Sequence, residues 1–227
     1  MPLRKLIFSL SAALLVSFAS VSSARADIVT FTTFGSFSSF SSQNNLTQEN
    51  VLTPGTQTGM TVSGFTNQTN QQVNVISLTQ LQLTVSDSNG QARFTGAGGT
   101  DIGAGGFRIF LPNNQTFSSL AFNLDAATGA SGTIVITTLE ANGDVTQTNF
   151  TLGVGSNFFG VAAIKDQRIL SVTVGPGVNI QALEQVRIGG FQQPVQTVPE
   201  PTTMLLLGTG LAGVAAKMRR RRKHAAK

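Results

Sequence analysis

Between residues 27 and 191 the side chains able to do chemistry are few, and most of them are carboxylates. The region holds nine acids: Asp27, Glu49, Asp87, Asp101, Asp125, Glu140, Asp144, Asp166 and Glu184. It contains no cysteine, and the single histidine of the chain is His224, well outside it. Nucleophilic catalysis needs a hydroxyl or thiol with a base in reach, so Ser-His-Asp and Cys-His devices are excluded here. Zinc is excluded on the same ground, because carboxylates alone rarely hold it. Two readings of the acids are left. A pair could flank a glycosidic bond, or oxygen ligands could gather round calcium, for which Asp87, Asn89, Asp101 and Asp125 with loop carbonyls are the candidate set. Turn positions account for most of these acids more simply: Asp87 precedes Asn89-Gly90, and Asp144 follows Asn142-Gly143. The expectation is a non-enzymatic body that requires no cofactor.

Composition narrows the binding partners as well. The chain has a net charge of +5, but three of its basic residues lie in the first 26 positions and seven in the last eleven. The body has Arg93, Arg108, Lys165, Arg168 and Arg187 against its nine acids and is net −4. A phosphate-binding face needs clustered Lys and Arg to displace counterions, so nucleic acid is not an expected partner. Sugar rings usually stack on Trp or Tyr, and the chain has neither. A site for exopolysaccharide would therefore rest on Phe stacking and on hydrogen bonds from Asn, Gln and loop backbone.

These side chains must be held by short strands. Residues 80–87, QLQLTVSD, alternate apolar and polar, and residues 133–139 and 145–152 read as a hairpin with Asn142-Gly143 supplying two positive-φ positions. Further strands are expected over 28–34, 60–65, 73–78, 106–110, 117–124, 157–164, 169–174 and 186–190, punctuated by Pro54-Gly55, Asn89-Gly90, Pro112-Asn113 and Pro176-Gly177. Many short strands without helical periodicity predict one all-β domain, an antiparallel β-sandwich of jelly-roll type over residues 27–191. Only 180–185 hints at a helical turn. In FTTFGSFSSF, residues 31–40, phenylalanine recurs at every third position, which fits neither a strand face nor a clean helical stripe; the expected role is to anchor a first strand and the loop after it. The glycine-rich GAGGTDIGAGG, residues 96–106, lacks the Lys-Ser/Thr pair of a phosphate loop and reads as a connection between strands.

The two ends are of a different kind. Residues 1–26 have the parts of a secretory leader: Arg4 and Lys5, an apolar stretch from 6 to 21, and Ala24-Arg25-Ala26, whose small Ala24 and Ala26 suit signal peptidase, with cleavage expected after Ala26. After a linker at 192–198 comes Pro199-Glu200-Pro201, then thirteen uncharged residues from Met204 to Ala216. As a helix these would span about 20 Å, against about 30 Å of hydrocarbon, which suits a transient rather than permanent stay in the inner membrane. The basic cluster Lys217, Arg219, Arg220, Arg221, Arg222 and Lys223 follows, and positive charge beside an apolar segment stays on the cytoplasmic side. Residues 224–227 form a short tail.

The order of leader, Pro-Glu-Pro, short apolar span and arginine cluster resembles the PEP-CTERM sorting signal of Gram-negative bacteria, here over residues 199–223. The resemblance implies that Pro199, Glu200 and Pro201 are recognised by exosortase, a membrane-embedded cysteine transpeptidase. It implies also that the body is passed to the cell surface or the exopolysaccharide matrix from a membrane-anchored precursor. The body is more loosely similar to other exported proteins with this signal, through Phe158-Phe159-Gly160-Val161, Val172-Thr173-Val174 and Glu184 ahead of Val186-Arg187-Ile188. Those relatives commonly carry Asp at the position of Glu184.

Overall fold

The computed structural model describes residues 28–164 and 167–192. Both ends of the chain, with the leader, the linker, the Pro-Glu-Pro tripeptide, the apolar span and the basic cluster, lie outside the described residues.

The described chain is all-β and antiparallel, with fourteen strands in one sheet that folds back on itself. One half is built on β1 (Ile28–Phe31), β12 (Gly155–Ala163), β9 (Ser119–Ala126) and β14 (Ile180–Gly189), in that order. It continues from β14 through β7 (Gln91–Gly96) and β6 (Leu83–Ser88) to β3 (Gln57–Gly59). The other half runs β4 (Thr61–Thr66), β5 (Gln72–Ser77), β8 (Phe107–Phe110), β13 (Ile169–Val174), β10 (Gly132–Glu140) and β11 (Val145–Leu152). The halves are joined by β2 (Glu49–Leu52), which pairs with β14 through Glu49 and Asn50 and with β4 through Val51 and Leu52. The sandwich expected from the sequence is therefore one sheet that turns a corner at β2.

Alternation places the core between the halves. On β10 the buried residues are Ile134, Ile136, Thr138 and Glu140, every second position. On β9 and β12 the inward rows are Leu120, Phe122, Leu124 and Phe159, Val161, Ala163; with Phe94, Phe107 and Phe117 they form the centre of a single core. Burying an aromatic or branched side chain in this way contributes about 1.5–3 kcal/mol each, offset by the entropy of ordering the chain.

The structure departs from expectation in four places. Residues 180–185 belong to β14 and not to a helical turn, because pairing with β9 outweighs local preference. Strands β2, β3 and β7 lack clean alternation and were not expected. In the β10–β11 hairpin only Gly143 takes positive φ, +92°, and the loop is held by Asn142 Oδ1 accepting from the Asp144 amide at 2.9 Å. The two-residue turn with both positions at positive φ is Asn89-Gly90, at +53° and +77°, between β6 and β7.

The fourth departure is the phenylalanine run. Its first residue ends β1, but Phe34–Gln43 forms a helix, α1, capped by Thr33, whose Oγ1 accepts from the Ser36 amide. At 100° per residue a three-residue repeat drifts about 60° at each step, so Phe34, Phe37 and Phe40 fan across one side of α1. Phe37, at the centre of the fan, is fully buried; Phe40 is partly buried, and Phe34 remains 48% exposed. The helix sits on the outer side of the sheet, where Ala121, Gly160 and Ala162 of β9 and β12 leave room for the Phe37 ring. A Cβ on Gly160 would lie 2.6 Å from that ring. Phe31, Phe158 and Leu46 close the sides of this second, smaller apolar cluster.

Candidate functional site

The candidate calcium residues fall at different places in the sheet. Asp87 ends β6 and its Oδ1 accepts from the Gly90 amide at 3.1 Å, which keeps Asp87 and Asn89 together in one turn. Asp101 follows the far end of β7, where Oδ2 accepts from Asn179 Nδ2 at 2.8 Å. Asp125 lies on β9 opposite Ala182 and Ser156. The length of β7 thus separates Asp87 and Asn89 from Asp101. Among the described residues no three acids come together as a metal cluster would require.

The remaining described carboxylates are engaged locally. Asp144 accepts from Asn142 Nδ2, and the buried Glu140 accepts from Thr146 Oγ1 at 3.0 Å. Glu184 pairs with Arg93 on the adjoining β7. Next to it, Gln185 takes φ +50° at an irregularity of β14 and accepts from Asn123 Nδ2 at 2.9 Å. This bulge lies between the stretch of β14 that meets β7 and the stretch that meets β2. The Arg93 partner was invisible in the sequence because β7 itself was.

Glu49 is the most constrained of the acids. It is 7% exposed, and its Oε2 accepts from the amides of Gln68 and Thr69 at 3.1 and 2.8 Å and from Thr69 Oγ1 at 3.0 Å. Burial opposes its ionisation, but the bonds from the Thr69 amide, the Thr66 and Thr69 hydroxyls and the Gln68 amide outweigh burial and hold the carboxyl below its ordinary range. Its task is to fix the turn between β4 and β5.

Two recesses on the described surface bring a phenylalanine together with polar groups, one at Phe65 beside the β4–β5 turn and one at Phe34, whose ring is half exposed. The second borders α1, has a volume of about 380 Å³, and is lined by Phe34, Ser38, Ser41, Ser42, Asn45, Leu46, Thr47 and Gln48. Phe34 and Phe158 pack in a T-shaped arrangement with centroids 5.7 Å apart, and the Arg187 guanidinium lies 4.7 Å from the Phe34 centroid. Arg187 is held in turn by its Nε donating to Asn50 Oδ1 at 3.2 Å. The ring is thus fixed on the protein side while nearly half of it stays in water.

Residues 197–222 match the model of the PEP-CTERM protein-sorting motif. The chain carries a PEP-CTERM sorting signal. The match includes Pro199, Glu200 and Pro201 and the basic residues up to Arg222, so the resemblance read from the sequence is a finding for the C-terminal part of the chain. A PEP-CTERM signal implies an exported protein that exosortase sorts to the surface or beyond. Ala24, Ala26, Pro199, Glu200, Pro201, Lys217, Arg219, Arg220, Arg221, Arg222 and Lys223 all lie outside the described residues, as does the apolar span from 204 to 216. Among the described residues no helix is long and apolar enough to cross a membrane.

No curated protein matches the chain. Among solved structures it is similar, at 14% identity and a TM-score of 0.24, to the enzymatically active domain of tailspike protein 4 of bacteriophage CBA120. The match covers 74% of this chain and 20% of that one, and at such a score it carries no argument about fold or chemistry.

Proposed function

We propose that this protein is a non-enzymatic component of the cell surface or extracellular matrix, structural or adhesive within exopolysaccharide, released to that location when exosortase processes its PEP-CTERM signal. The observation that carries the reading is the motif match at residues 197–222. Two features of the body support it. The described carboxylates other than Asp125 each have a local partner in a turn, a hydroxyl, the Asn179 amide or Arg93, and the one that lines a recess, Glu184, is paired with Arg93. Strand β11 supplies a means of attachment: among the described residues it pairs with β10 alone, and its eight residues, VTQTNFTL, include no charge and no proline. Natural edges are usually blunted by Lys, Pro or a bulge, so an unblunted edge suits a protein that joins neighbours. The reading assigns no metal to the body.

The test is intact mass and fractionation of the protein from its native host. The expected product begins at Asp27, ends near Pro199 to Pro201, and is found in the matrix or medium. A product that retains Lys227 and sediments with membranes overturns the reading.

A further inference from the structure

The groove beside α1 poses a problem of unused polarity. Ser41 is 6% exposed, yet its Oγ has no hydrogen-bond partner; the buried Nε2 of Gln48 has none either, and both residues line the groove. Buried polar atoms are nearly always paired, so these two call for a partner, which an ordered water or a ligand hydroxyl entering the groove would supply. Ser38 and Ser42 follow Phe34 at intervals of four residues along α1 and form a row of hydroxyls leading away from the ring, and Asn45, just past the helix end at φ +52°, adds an amide to the same groove. None of the eight lining residues is charged. A cation would find no counter-charge there and would be repelled by Arg187, whose guanidinium is engaged by the Phe34 ring and Asn50, and a purely apolar ligand would strand the hydroxyls.

A ligand that suits this surface is neutral, has one apolar face and carries hydroxyls round its rim. Those are the properties of a pyranose ring, and the volume of about 380 Å³ lies within the usual range of small-ligand sites, about 300–1,000 Å³. We propose that the α1 groove is a subsite for a neutral hexopyranosyl unit of a polysaccharide. Phe34 stacks on the C–H face of the sugar, while Ser38, Ser42 and Asn45 exchange hydrogen bonds with its hydroxyls. Ser41 and Gln48 at the floor acquire partners as the sugar seats. Arg187 and Asn50 act as positioning residues, because they fix the ring without touching the ligand. The inference rests on the matrix reading for its biological setting, though its chemistry does not require it.

The experiment is affinity electrophoresis of the full chain through gels containing a soluble glucan, mannan or galactan, with anionic alginate as the contrast. At least one neutral polymer is expected to retard the protein. Phe34→Ala should weaken that retardation at least tenfold with little change in Tm, and Phe34→Trp should retain or strengthen it. Should Phe34→Ala disturb α1, Ser42→Ala and Asn45→Ala, at exposed positions, are each expected to weaken binding by several-fold. Equal retardation of wild type and Phe34→Ala, a preference for alginate, or no retardation by any neutral polymer overturns the proposal. The two readings fail separately. A protein found in the matrix that ignores all three neutral polymers loses this site and keeps the proposed function; one that binds them but stays in the inner membrane loses the function and keeps the site.

Discussion

The sheet carries an apolar cluster on each side of β9 and β12, and the two are assembled by opposite means. Inside, large side chains meet large side chains: Phe122 of β9 lies 6.0 Å from Phe159 of β12, and Leu120, Leu124 and Val161 fill the space around them. Outside, on the same two strands, the sheet offers Ala121, Gly160 and Ala162, and the bulk comes from Phe37 of a helix. The inner core is held by residues far apart in sequence on both halves of the sheet. The outer cluster depends on one ring entering one shallow site. A sheet can therefore be sealed on its second face by a single short helix, provided that small residues stand opposite each other, as Gly160 and Ala121 do.

The contrast can be broken by deleting one phenylalanine from each side. Phe122→Ala should cost about 3–5 kcal/mol and lower Tm by roughly 10 °C or more, with cooperative loss of the whole described body. Phe37→Ala removes the same ring from the outer cluster, but α1 can move to relax the cavity. A smaller fall of about 2–4 kcal/mol is expected, confined to the helix. Hydrogen exchange distinguishes these outcomes. Amides of α1 should lose protection in Phe37→Ala while those of β9, β12 and β14 keep theirs. If both variants expose all strands equally, the outer cluster is part of one core and the distinction falls. Gly160→Ala approaches the same contact from the sheet. Its Cβ would displace the Phe37 ring, for an expected cost of about 1–3 kcal/mol, and a double variant with Phe37→Ala should cost less than the two singles added.

The same contrast explains what could be read in advance. Strands declare themselves when runs rich in Val, Ile and Thr flank a turn signal, as β10, β11 and β13 do; 145–152 and 169–174 were legible to the residue. Strand β7, QARFTG, has an arginine beside its one large apolar residue and a glycine-rich loop after it, so neither its existence nor the Arg93–Glu184 pair could be inferred. The helix was hidden for a geometric reason. A three-residue period fits a helix only when the receiving surface is wide, and the width comes from Ala121, Gly160 and Ala162, more than eighty residues away. The groove inherits that obscurity: Phe34 read as a core anchor, and its exposure follows from being at the margin of the fan. The sorting signal shows the reverse case, since its information lies in the order of residues along the chain and needs no fold to be recognised.

Acid separates the regions in another way. The cluster under α1 is built of apolar side chains, whereas β2, which joins the halves, begins with the buried Glu49. Because its carboxyl ionises more readily folded than unfolded, Glu49 contributes stability that is fully present above the unfolded pKa. That contribution is lost as pH falls through the lower, folded value. Between about pH 5 and pH 3 the amides of Gln68 and Thr69, which donate to it, should gain exchange rate beyond the intrinsic pH effect, while α1 amides follow the intrinsic effect alone. Glu49→Gln should be less stable than wild type in urea at pH 7, and the difference should shrink as pH falls through the lowered folded pKa and the wild-type carboxyl takes up its proton. A gap that stays constant over this range would mean that the side chain acts by shape alone. Loosening of α1 in step with the turn would mean that β2 couples the outer helix to the corner of the sheet.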